Sequence, residues 1–104
     1  MQTTITARHC EISDALKERA RSVVERLGSM ASRPIESAVV FDLEGPVQTA
    51  ELRLHLGRGE VLVARGEAAD HRSALDRAEE RLRRQLEKVS PRGRRTRTPP
   101  STSV

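Results

Sequence analysis

Along this chain, apolar residues recur first at every second position and then at every third or fourth. In residues 3–8, TTITAR, Thr3, Ile5 and Ala7 fall on one side and Thr4, Thr6 and Arg8 on the other, the alternation of a half-buried strand. The period then lengthens. In EISDALKERARSVVERLGSM, Leu16, Ala20, Val23 and Leu27 recur at i, i+4, i+7 and i+11 with Val24 beside them, which predicts an amphipathic helix. Ser13 stands where an N-cap belongs, and Asp14 lies in the first turn, where negative charge suits the helix dipole. Gly28 stands where a glycine would end the helix.

Arg33-Pro34 breaks the pattern, and alternation returns. Ile35, Ser37, Val39, Phe41 and Leu43 form one face of a second strand, and Gly45-Pro46 signals a turn. In TAELRLHLG, Ala50, Leu52, Leu54 and Leu56 point inward and Glu51, Arg53 and His55 outward. GRG at 57–59 reads as a hairpin connection into a fourth strand, EVLVARGEA. A second helix is predicted from an N-cap at Asp70 to about Val89, with Pro91 setting its end. The order β-α-β-β-β-α predicts an α/β two-layer sandwich: a four-stranded, mostly antiparallel sheet with two helices on one face and the other face wet.

At 104 residues the chain has room for one domain, expected over 1–90, and a tail over 91–104. Phe41 is the only aromatic, so the core must be aliphatic, and the lack of rings argues against a platform for stacking unpaired bases. The net charge of +4 is local. Residues 1–90 hold 15 basic and 15 acidic side chains, and Arg92, Arg94, Arg95 and Arg97 supply the whole excess. Such a tail reads either as a polyelectrolyte arm or as a disordered end. No stretch resembles a signal peptide or reaches the roughly 20 apolar residues of a membrane span, so the expectation is a cytoplasmic protein.

The second helix is electrically split. Leu75, Ala78, Leu82, Leu86 and Val89 share the face expected to meet the sheet, while Arg77, Arg81, Arg84 and Lys88 follow at i, i+4, i+7 and i+11 in a narrow strip. Asp76, Glu79, Glu80 and Glu87 lie on the other flank or the outer face. A charge run of this kind can be no more than a solvated helix face. Same-sign neighbours at this spacing are mildly unfavourable, however, so the strip also reads as a surface for a polyanion. Lys17, Arg19, Arg21 and Arg26 on the first helix suggest that a groove between the helices is lined by arginines suited to phosphate. Such a groove would recognise backbone shape more than base identity, which fits structured RNA.

No catalytic constellation is visible. His9 and Cys10 are neighbours that would point to opposite faces of a strand, His55 belongs to the wet face, and His71 lies in the first turn of the second helix. Cys10, the only cysteine, reads as a small buried hydrophobe. No ligand set has metal spacing, so neither an enzyme nor a cofactor is expected.

ITARHCEISDALKERA, AELRLHLGRGEVLVARGEAAD and SALDRAEERLRRQLEKV resemble the ribosome hibernation-promoting factors, the group that includes ribosome-associated inhibitor A. The likeness runs in unbroken order over 1–89. Its most specific part is ALD, RL and RQLEK in the second helix, with IT and EIS-x-AL as an independent second match. The resemblance implies a fold similar to double-stranded-RNA-binding domains. It also implies binding in the channel between head and body of the small ribosomal subunit, where messenger RNA and the A- and P-site transfer RNAs would lie. Inhibition of translation is then steric. The family's basic contacts carry over to Arg81, Arg84 and Lys88 in the second helix, Lys17 and Arg26 in the first, and Arg8 after the first strand. Arg77 joins them by its spacing, and Arg92 as the first arginine of the tail.

The implied partner is the small subunit and its ribosomal RNA, with no membrane and no small-molecule substrate, the protein being a monomer off the ribosome. His71-Arg72 stands where relatives often have an aromatic, and Ala7 where many have glycine. The length fits the short type, and leaves open whether single ribosomes are silenced or paired ones promoted. The alternative is a protein-interaction module that modulates transcription or another stress-response partner.

Overall fold

The computed structural model describes residues 1–89, in the order β1 (Gln2–Ala7), α1 (Asp14–Ser29), β2 (Pro34–Glu44), β3 (Val47–Leu56), β4 (Val61–Ala68) and α2 (His71–Val89). The strands lie in the order β1-β2-β3-β4, with β1 parallel to β2 and the other pairs antiparallel. A parallel neighbour requires a crossover, and α1 supplies it. The β2–β3 connection needs only Gly45-Pro46, because Gly45 takes a positive φ of 62° that other residues reach at a cost.

Alternation decides what the helices cover. Val39 and Phe41 of β2, Ala50, Leu52, Leu54 and Leu56 of β3, and Ala64 of β4 are buried beneath Ala20, Val23, Val24 and Leu27 of α1 and Ala74, Leu75, Ala78, Leu82 and Leu86 of α2. Four of the five inward positions expected on α2 are among these, and the Val89 side chain lies outside the described set. The wet face carries Glu51, Arg53 and His55, as their alternation requires. Among the described residues, no helix is long and apolar enough to cross a membrane.

Both N-caps form as their residue types predict. Ser13 Oγ accepts from the Leu16 amide at 3.1 Å, and Asp70 Oδ1 accepts from the Ser73 amide at 2.8 Å. Gly28 does not end α1. It is buried inside the last turn, and the helix closes at Met30, whose amide reaches the carbonyls of Leu27 and Gly28. A Cβ at Gly28 would stand 2.9 Å from Met1 Cε, so this glycine makes room for the N-terminal methionine instead of a left-handed cap.

Three residues expected on the core face are exposed. Ile35 is the extra residue of an irregularity in β2, where Pro34 pairs with Leu56 and Glu36 with the adjacent His55, so its side chain leaves the core. Leu43 and Ala7 lie at strand ends and are exposed. Pro91 and the whole of 91–104 fall outside the described residues.

Candidate nucleic-acid interface

The turn angle of α2 separates its charges between two flanks. Asp76, Glu79 and Arg83 face α1, while Arg77 and Arg81 face the free edge of β4. On the first flank, Arg19 of α1 meets Asp76 at 2.8 Å. Arg26 of α1 and Arg83 of α2 both donate to Glu79 Oε2, at 2.8 and 3.0 Å. The groove between the helices therefore carries arginines, as the sequence suggested, but Asp76 and Glu79 lie among them. A 100° step per residue brings two acids of α2 to the same seam, and they pair with the arginines there.

On the second flank, Arg77 donates to the Glu67 carbonyl at 2.7 Å, Arg81 to the Arg65 carbonyl at 2.5 Å, and Gln85 to the Val63 carbonyl at 2.8 Å. These are successive outward carbonyls of an edge strand, two residues apart, met by side chains four residues apart. The rises agree: four residues of helix advance about 6 Å and two of strand about 6.6 Å. The contact uses a neutral acceptor, so both guanidiniums keep their full charge at the surface. Arg84 stands on the crest of the helix, exposed, with Glu80 at 2.8 Å one turn back. Such exposed pairs are weak and exchange readily with another anion.

The expected contact residues are thus brought together only in part. Arg77 and Arg81 lie on the β4 flank of α2, and Arg84 and Lys88 continue the same strip toward its crest. Arg26 lies across the helix at the seam, and Lys17 is exposed on the flank of α1 that faces away from α2. Arg8 lines a hollow with Val40, Asp42, Thr49, Glu51 and Arg65 on the uncovered face of the sheet, so it does not join the helical surface. Arg92 lies outside the described residues.

Sequence reasoning missed the contacts that Glu79, Arg83 and Gln85 make between elements, and Gly66 beneath α2. A Cβ at Gly66 would stand 2.6 Å from the Ala78 amide nitrogen and closer still to the Ala74 carbonyl oxygen, so only glycine lets α2 sit directly on β4. A glycine inside a strand pattern was the available signal.

The titratable groups at the other end of the helices are engaged separately. Residues 8–10 form a bend, not a strand, and His9 takes a φ of 60°. His9 Nδ1 meets Asp42 at 3.0 Å, which with the Leu43 amide holds the Asp42 carboxyl below the usual range. His71 Nε2 donates to the Asp42 carbonyl at 2.9 Å while its ring stands edge-on to Phe41, the packing task of an aromatic. Cys10 Sγ lies 3.8 Å from the same nitrogen, and burial pushes its thiol pKa up. Among the described residues, no three His, Cys, Asp or Glu side chains are grouped to hold a metal.

The same fold recurs in known proteins. The family described as Sigma 54 modulation protein / S30EA ribosomal protein matches residues 3–94. This chain belongs to that family. A ribosome hibernation promoting factor of Escherichia coli K12 is 33% identical over 88 residues, spanning 85% of this chain and 92% of that protein. The ribosome hibernation promotion factor of Rhizobium meliloti is 31% identical over 87 residues, and the match spans 83% of this chain but only 46% of that protein. The N-terminal domain of Thermus thermophilus Protein Y superposes with a TM-score of 0.73 at 29% identity, over 85% of this chain and 98% of that one. A ribosomal subunit interface protein from Coxiella burnetii superposes at 0.74 with 21% identity over 85% and 96%, a likeness of fold.

Proposed function

We propose that this protein is a cytoplasmic ribosome hibernation factor that binds the ribosomal RNA of the small subunit through its helical face and is not an enzyme. Bound in the decoding channel, it excludes messenger RNA and the A- and P-site transfer RNAs and so inhibits translation. The observation that carries this reading is the division of charge on α2. The acids Asp76 and Glu79 are paired at the seam with α1, while Arg77, Arg81, Lys88 and the Glu80-paired Arg84 follow one strip on the outer side of a domain whose first 90 residues sum to zero charge. A neutral domain with one basic flank binds a polyanion in one orientation. Membership of a family whose named relatives are hibernation factors supports the ribosome as that polyanion.

Co-sedimentation of the full chain with small subunits, with and without messenger and initiator transfer RNA, tests the reading. Binding that those ligands abolish is expected; binding that ignores them sinks occlusion. Arg81→Glu with Arg84→Glu should weaken association at least about tenfold while thermal unfolding stays cooperative, and should lower the salt dependence, since each neutralised phosphate releases counterions. Unchanged binding sinks the role of this flank. The word modulation in the family's description keeps a second reading, a module that binds one protein partner, and weak salt dependence would favour it.

A further inference from the structure

We infer that Glu79 is a positioning residue of the RNA-binding surface, holding Arg26 of α1 and Arg83 of α2 as a paired seat for one backbone phosphate. The inference rests on the proposed RNA binding and deepens it.

The argument begins with exposure. The Glu79 side chain is 9% exposed, while those of Arg26 and Arg83 are 59% and 44% exposed. The acid lies inside and the two cations lie above it. Both arginines donate through Nη2 to the same oxygen, so these nitrogens are within about 6 Å of each other, a spacing that the non-bridging oxygens of one phosphate can bridge. Each guanidinium has five N–H donors and gives one to Glu79, so most remain for a ligand.

A helix-to-helix clip needs one arginine, not two. The neighbouring seam pair, Arg19 with Asp76, is such a clip: one cation, one anion, no excess charge. At Glu79 the group sums to +1, and two like charges are drawn together on the surface. That arrangement adds little as a stabilising pair. Its effect is order. Two long side chains from different helices are held near one point before a ligand arrives, which lowers the entropy lost on binding.

The test sets charge against position. Glu79→Gln raises the net charge by one, so a surface acting through charge alone must bind RNA more tightly. The seat predicts the opposite: about fivefold weaker binding of the full-length variant to purified small subunits, because the arginines lose the anion that orders them. Arg26→Ala and Arg83→Ala supply evidence independent of the folding of the Glu79 variant. If the two share one phosphate, each single variant weakens binding with little change in the slope of log K against log salt. The double variant then lowers the slope by about one. Arg19→Ala should leave the slope unchanged. Tighter binding by Glu79→Gln, a slope in the double variant equal to wild type, or separate losses of about one for each arginine would each overturn the seat. Absence of wild-type binding to small subunits overturns the function reading itself, and the seat with it.

Discussion

Gly66→Ala offers a sharp trial of how α2 is placed. In a strand, replacing glycine by alanine restricts the unfolded chain and is ordinarily worth about 0.4–1 kcal/mol of added stability where the site can accept it. Here it cannot. The new methyl would lie 2.6 Å from the Ala78 amide nitrogen and 3.0 Å from Arg77 Cβ, and closer still to the Ala74 carbonyl oxygen. Ordinary contact is about 3.5 Å, so α2 must withdraw from β4 by about 1 Å. The obstructing atoms are mainly helix backbone, which cannot change rotamer. Overpacking costs about 1–3 kcal/mol where side chains can adjust, so a net loss of about 3 kcal/mol is expected. That is a large share of the roughly 5–15 kcal/mol typical of a domain, and lowers the melting temperature by about 12–24 °C. The same withdrawal lifts Arg77 and Arg81 from the Glu67 and Arg65 carbonyls, so RNA affinity should fall together with stability. The chain has no Trp or Tyr, so urea unfolding is best followed by far-UV circular dichroism, with wild type as reference. A variant as stable as wild type, or more so, would refute the close approach of α2 to β4.

Two further expectations follow from the edge and from the caps. Replacing Arg77, Arg81 and Gln85 together by methionine uncovers the outward carbonyls of β4, and an open edge invites strand pairing between copies, so light scattering after size exclusion should detect dimers or larger species; a variant that stays monomeric at high concentration refutes the edge-covering role. Asp42 and Asp70 have carboxyl pKa values below their ordinary range, Asp42 through His9 and the Leu43 amide, Asp70 through the Ser73 amide and hydroxyl. The folded state therefore binds fewer protons than the unfolded one in that window. Their contribution is present above the ordinary carboxylate range and is lost as pH falls through the depressed folded values. Asp42→Asn with Asp70→Asn should flatten the acid limb of the stability curve, and an unchanged limb counts against both contacts.

Much of the architecture was legible from periodicity, because burial of a strand or helix face is a local matter of which positions repeat. Leu52 and Leu54, or Leu75 and Leu82, could only point inward once a core existed, and Ser13 and Asp70 cap by chemistry that acts within three residues. The strip of Arg77, Arg81, Arg84 and Lys88 was legible for the same reason. What those arginines touch was not. The register of α2 over β4 is decided by a missing side chain at Gly66, and it carries Arg77 and Arg81 over carbonyls 10 and 16 residues earlier in the chain. The pairing of Arg26 with Glu79 spans 53 residues and depends on how two helices lie side by side. The bulge at Ile35 depends on registry with β3, and the departure of Arg8 to the uncovered face on how β1 meets β2. Periodicity, capping and charge spacing are short-range and were determined by sequence alone. The seam, the covered edge and the separation of Arg8 from the helical surface were decided only by the tertiary structure, because each depends on the distance between elements far apart in the chain.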